Sequence, residues 1–245
     1  MLAIISDVHG NLSALDAVLE DIDRAGCERI VCLGDVANFG PQPQETLHRV
    51  RTLGIPVVRG NTDEYLLRQR TADDVTKVND DTPRFLAIEN WCAAQMDEAD
   101  RAYLQALPKT VGVEVGGLEP LCCHGSPRSH SDIIVATTPD DTLGHYLAGV
   151  TATLVASGHS HAPLLRRYRD KLFVNPGSVG LPYEILPNGD ARNPPWAEYA
   201  LLRVVDRHPR IEFRRVPYDI QPVIAAAYEH DMPFADWWTE GWRRG

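Results

Sequence analysis

Asp7 and His9 stand two residues apart at the end of a short apolar run, Leu2-Ala3-Ile4-Ile5. In an extended backbone that spacing turns both side chains the same way. A carboxylate beside an imidazole is half of a metal site. Ligand-type residues recur after four further strand-like runs: Asp35, Asn61, His124, and His159 with His161. Alone, each has a plain structural explanation, since a strand-end Asp caps helices or forms turns and a lone His bonds within a loop. Five such ends in one chain argue instead for side chains that converge on a site.

Convergence requires elements that deliver these tips to one edge. Leu12, Leu15, Val18 or Leu19, and Ile22 recur at helical spacing, which predicts a helix from 11 to about 25, stopped by Gly26. With strands on either side, at 2–5 and 29–33, this is a βαβ unit. Its strands run parallel and end at the same rim, where open α/β sheets carry their sites. A helix over about 44–53 and a third strand over 55–59 follow, then a helical, charged stretch over 64–109. Thr82 and Pro83 suit a helix cap and first turn, with Phe85, Leu86, Trp91 and Cys92 on the inner face, and Pro108 ends a second helix over 97–107. The second half reads as a hairpin over 111–115 and 118–123 about Gly116-Gly117, a helix near 140–148, and strands at 153–157 and 172–174. Strands at 199–205 and 211–216 are joined by a turn at Arg207-His208-Pro209, and the tail carries a helix and Trp237, Trp238 and Trp242, read as packing or a subunit contact. With no repeat or linker, a single domain over 1–245 is expected.

Composition narrows the function classes. The chain has 245 residues, is 44% hydrophobic and carries a net charge of −10. A polymeric nucleic acid or anionic membrane surface is therefore not expected as partner, and a homo-oligomer stays open. Apolar runs are only strand-length, and no secretory leader is read at the start, so the expectation is a cytoplasmic protein. The five cysteines form no CxxC pair and read as buried thiols.

In order and spacing, Asp7-Val8-His9, Gly34-Asp35, Gly60-Asn61-Thr62-Asp63, His124-Gly125 and Gly158-His159-Ser160-His161 resemble the calcineurin-like metallophosphoesterases. Asn175-Pro176-Gly177-Ser178 is similar to a segment of the small bacterial branch of that family, which includes phosphodiesterases and dinucleoside tetraphosphate hydrolases. The resemblance implies an α/β fold of two packed mixed β-sheets flanked by helices, a four-layer αββα sandwich. It implies two divalent metals, one held by Asp7, His9, Asp35 and His161, the other by Asp35, Asn61, His124 and His159, with Asp35 bridging. Mixed N/O ligands suit manganese, or iron, nickel, cobalt or zinc, better than calcium or magnesium. The implied activity is hydrolysis of a small phosphodiester, phosphomonoester or nucleotide by in-line attack of a metal-bridging hydroxide.

One position departs from the family pattern. Many members carry His directly after the Asn, acting on the leaving group, whereas here it is Thr62, which cannot donate a proton usefully near pH 7. Asp63 could assist, although orienting Asn61 or capping the next helix is the better explanation of it, and Arg128 could bind a substrate phosphate in bidentate fashion or be a plain surface arginine. The other class of function is a non-catalytic scaffold of the same fold that serves protein contacts. The retention of all seven ligand types argues against it.

Overall fold

The first strand is buried on both faces, and its two faces belong to different layers. Within β1 (Leu2–Ile5), Leu2 and Ile4 join one apolar cluster while Ala3 and Ile5 join another, as the two-residue side-chain period requires. The computed structural model describes residues 1–75, 79–187 and 191–243.

β1 is central in a four-stranded sheet of order β11 (His208–Pro217), β10 (Trp196–Val205), β1 and β2 (Ile30–Cys32). β1 and β2 are parallel across the helix α1 (Leu12–Arg24), as a βαβ unit demands, and β10 runs antiparallel to β1. The second sheet, of five strands, has the order β3 (Thr110–Gly112), β4 (Leu121–Cys123), β5 (Leu154–Ala156), β7 (Lys171–Asn175) and β6 (Leu164–Tyr168). Leu2, Ile4, Val31 and Leu202 from the first sheet pack with Cys122, Leu154, Ala156 and Val174 from the second. The outer face of the first sheet is covered by α1, α2 (Pro43–Thr52), α4 (Thr82–Gln95), α7 (Gln221–Glu229) and α8 (Ala235–Arg243), and that of the second by α6 (Asp140–Tyr146). This is the four-layer αββα arrangement with two mixed sheets. A short α3 (Asn61–Tyr65) and α5 (Glu98–Ala106) complete the first half, and a small hairpin, β8 (Glu184–Ile185) with β9 (Ala191–Arg192), lies outside both sheets.

Several expectations need correction. The run at 55–59 is not a regular strand: it touches β2 through a single parallel bridge, Cys32 to Val57. Pro56 accepts from the Cys32 N–H but has no N–H to return, which limits the ladder. β6 was not expected, because Arg166-Arg167-Tyr168 has a polar look, yet it pairs with β7 over its whole length. Arg166 belongs to that strand and donates to the carbonyl of Thr138 at 2.6 Å and to Asp140 at 2.7 Å, fixing the entry to α6. The last hairpin turns at Asp206-Arg207, both left-handed, so His208 and Pro209 lie in the strand. In α4 the cap position is Asp81 and the buried face is led by Ile88 and Cys92, with Phe85, Leu86 and Trp91 only partly buried. Trp238 and Trp242 are core residues, and the Trp238 indole donates to the carbonyl of Phe39 at 2.9 Å.

Candidate metal centre

The strand tips are built from unusual backbone. Asp7, His9, Asp35, His159 and His161 all have positive φ, between 49° and 68°. Residues with a Cβ avoid this region, at a cost of roughly 1–3 kcal/mol each where it is held at functional sites. Asp7 and His9 therefore do not share a side through the extended pleat expected of them. A left-handed turn aims both, locked by hydrogen bonds from the Asp7, His9 and Gly10 N–H groups to the carbonyls of Gly34, Asp35 and Val36, each at 3.0 Å. The parallel neighbour thus shapes the tip of β1. Close approach also needs Gly60, where a Cβ would lie 2.0 Å from Oδ1 of Asp35.

Six of the seven nominated side chains place a ligand atom in two adjoining groups. Asp7, His9 and His161 form one, and Asp35, His124 and His159 the other, with the ligand atoms of each group within 4.8 Å of one another. Nε2 of His161 lies 3.3 Å from Oδ1 of Asp7 and 3.1 Å from Nε2 of His9. Oδ2 of Asp35 lies 3.1 Å from Nε2 of His124 and 3.9 Å from Nε2 of His9, so Asp35 reaches both groups. The seventh residue, Asn61, joins through Oδ1, 3.1 Å from Nε2 of His124.

The donor set fits metal ions. Three imidazoles are oriented through Nδ1 on backbone carbonyls: His9 on Asn38 at 2.9 Å, His124 on Leu33 at 2.7 Å and His161 on Leu181 at 2.7 Å. That turns Nε2 of each toward the centre, where it could coordinate. Two Nε2 atoms 3.1 Å apart are close enough that one cation could bind both. Oδ1 of Asp7 is buried with no hydrogen-bond partner, while Oδ2 accepts from the His159 N–H at 3.1 Å. A buried carboxylate oxygen left over in this way calls for a positive partner.

The electrostatics agree. Burial opposes the charge on Asp7, but His161 and His124 outweigh it and hold the carboxyl at about 2. Burial opposes the charge on Asp35 too, and His124 again prevails, holding it well below the carboxylate range. Burial and the neighbouring His161 push His9 down to about 4. His124 is the reverse case: burial disfavours its charge, yet Asp35 and Asp7 push it up to about 10. Both carboxylates thus favour positive charge at Nε2 of His124, where a cation could take the place of a proton.

Asp63 points elsewhere. Its oxygens accept from the N–H groups of Val36 and Asp35, both at 2.8 Å, and of Gly60 at 2.9 Å. It ties the loop bearing Asp35 to the loop bearing Asn61, which is a positioning role. Arg128 is exposed on the loop after His124, and Oγ1 of Thr62 is buried without a partner. Sequence reasoning did not reach the segment 175–181, although its Asn-Pro-Gly-Ser pattern stood out. Asn175 donates to the Gly158 carbonyl at 2.7 Å, Ser178 Oγ donates to the Asp7 carbonyl at 2.7 Å, and the Leu181 carbonyl holds His161.

The chain is similar to known proteins over most of its length. It is 30% identical over 250 residues to the uncharacterized protein MJ0912 of Methanocaldococcus jannaschii, covering 95% of this chain and 94% of that one. It is 25% identical over 184 residues to the phosphodiesterase YfcE of Escherichia coli, covering 74% of this chain and 80% of YfcE. The crystal structure of a metallophosphoesterase from Sphaerobacter thermophilus aligns with a TM-score of 0.71 and 28% identity, covering 95% of each chain. The family model of the calcineurin-like phosphoesterase superfamily domain matches residues 1–206. With two packed mixed sheets carrying ligand-type residues at their tips, and a match across most of its length, the chain belongs to the calcineurin-like phosphoesterase superfamily.

Proposed function

We propose that this protein is a metal-dependent phosphoesterase that hydrolyses a small phosphodiester, phosphomonoester or nucleotide, using two divalent transition-metal ions, manganese first among them. The observation that carries the reading is the pair of Nε2 atoms of His9 and His161, 3.1 Å apart beside the buried Oδ1 of Asp7, which accepts no hydrogen bond. Asp7, His9, Asp35 and His161 would hold one ion, and Asp35, Asn61, His124 and His159 the other. Two such ions supply Lewis acidity, lowering the pKa of water and neutralising phosphate charge.

The chain's own residues set the balance. Asp7 and Asp35 bring two negative charges, and neutral imidazoles and an amide bring none, so the site keeps attraction for an anion. In the reaction a water oxygen bonds to phosphorus, the ester P–O bond breaks, and the water proton ends on solvent or the departing alkoxide. A covalent enzyme intermediate is not required. Burial pushes the thiols of Cys92 and Cys122 up to about 12, which disqualifies them as nucleophiles. Because Thr62 is a poor proton donor and Asp63 is spent on backbone N–H groups, the reading favours substrates with good leaving groups.

The test is turnover of bis(p-nitrophenyl) phosphate. It is expected to need added manganese and to vanish with a chelator. His124→Ala should lower bound metal and cut the rate by more than the roughly 10–100-fold typical of residues behind the ligands. Turnover that survives chelation, or a His124→Ala protein with normal metal content and rate, would sink the reading.

A further inference from the structure

Substrate reaches the centre where its ligand residues meet solvent. The side chains of Asp7 and His124 are fully buried and that of Asp35 is 2% exposed, whereas that of His161 is 13% exposed. His159 is likewise only partly buried. The mouth of the centre is therefore on the side of His159 and His161. There the ring of Tyr183 packs against His161, with centroids 5.6 Å apart and planes tilted by 50°. Tyr183 as a whole is 48% exposed. One side of the ring is backed by His161, and much of the remainder is open at the entrance.

The backbone that carries Tyr183 is fastened to the centre itself. The Val179 N–H donates to the Ser6 carbonyl at 2.9 Å, the Gly180 N–H to the Asp7 carbonyl at 3.0 Å, and the Leu181 N–H to Ser178 Oγ at 2.9 Å. On its other side, Glu184 accepts from Arg192 at 2.7 and 2.8 Å across the β8–β9 hairpin. The backbone on either side of the ring is thus held and the ring rests on His161, and a surface held in this way gains most from a flat, rigid partner. Stacking on an aromatic side chain tolerates any base, since every base has a π face.

We propose that Tyr183 is a specificity-determining residue that stacks a planar group carried by the phosphoester, and that the preferred substrates are nucleotide-like esters with a base. This rests on the phosphoesterase reading above. The phosphate would lie over the centre while the base meets the Tyr183 ring at the mouth.

The test is calorimetric titration of manganese-loaded protein with AMP and with ribose 5-phosphate, which share the phosphate and sugar and differ in the base. The wild type is expected to bind AMP more tightly. Tyr183→Ala should shrink that advantage by about five- to a hundredfold, the range of one stacked base, read as the ratio of the two affinities so that any effect through His161 on the shared phosphate cancels. Tyr183→Phe should keep it. The proposal is overturned by no AMP advantage in the wild type, by equal loss for both ligands in Tyr183→Ala, or by Tyr183→Phe losing the advantage as fully as Tyr183→Ala. Turnover of bis(p-nitrophenyl) phosphate, measured alongside, separates this failure from that of the parent reading. Turnover without a base advantage overturns the Tyr183 assignment alone. A Tyr183-dependent base advantage with turnover of neither this diester nor p-nitrophenyl phosphate nor AMP supports the stacking contact and overturns only the phosphoesterase reading.

Discussion

The hydroxyl of Ser178 donates to the backbone carbonyl of Asp7 at 2.7 Å, across 171 residues of sequence. Three residues later the Leu181 carbonyl accepts from Nδ1 of His161 at 2.7 Å. One short segment therefore positions a carboxylate from the end of β1 and an imidazole from beyond β5. The two tips are a single mechanical unit, and the strain in their left-handed backbones is sustained by that unit.

Ser178→Ala removes a buried donor to Asp7 and a part-buried acceptor for the Leu181 N–H. We expect a stability loss of about 1–3 kcal/mol by chemical denaturation. Metal affinity should fall by roughly 10–100-fold in a direct titration, as for other residues that orient ligands. An unchanged metal affinity would show that the segment supports the fold without tuning the centre.

Gly60 and Gly26 separate crowding from backbone strain. At Gly60 φ is −84°, which alanine adopts freely, but its Cβ would lie 2.0 Å from Oδ1 and 2.5 Å from the backbone N of Asp35. At Gly26 φ is +66° with nothing within 4 Å of the added carbon. Gly26→Ala should cost about 1–2 kcal/mol and keep its metal. Gly60→Ala should displace Asp35 and lose bound metal, read by atomic absorption. Full metal content in Gly60→Ala would contradict the placement of Asp35.

Asp100 ties α5 to α2, accepting from Gln44 at 2.9 Å, His48 at 2.8 Å and Arg51 at 2.9 Å. Burial opposes its charge, but the hydrogen bonds from Gln44 and His48 outweigh burial and hold the carboxyl below its ordinary 3.8. A folded-state pKa below the unfolded one means the unfolded chain binds the proton more readily. The stabilisation is thus present above about pH 4 and is lost as the pH falls through the folded value. Asp100→Asn should be less stable near neutrality, by about 1 kcal/mol or more, and should lose less stability than the wild type on acidification. Parallel urea midpoints across that pH range would refute the assignment.

Much of the fold was legible because it rests on local rules. The period of Leu12, Leu15, Val18 and Ile22 placed α1, and all four except Leu12 are buried in it. The hairpin at Gly116-Gly117 was legible because both residues need positive φ, at 56° and 83°. What escaped depends on neighbours. β6 is a strand because β7 pairs with it, and its own residues give little sign of this. The stretch at 55–59 has strand-like residues, but Pro56 cannot return the bond it receives.

By itself the sequence determined which candidate ligand residues the chain offers and the strand tips that carry them, since residue type and a local run of apolar residues are properties of short segments. Only the tertiary structure decided how those residues divide into two groups sharing Asp35, which nitrogen of His9, His124 and His161 is left to bind, and that Tyr183 stands at the mouth. The reason is distance along the chain. The carbonyls that orient these imidazoles lie 29, 91 and 20 residues away, and no local pattern encodes a hydrogen bond between segments that meet only after the two sheets have packed.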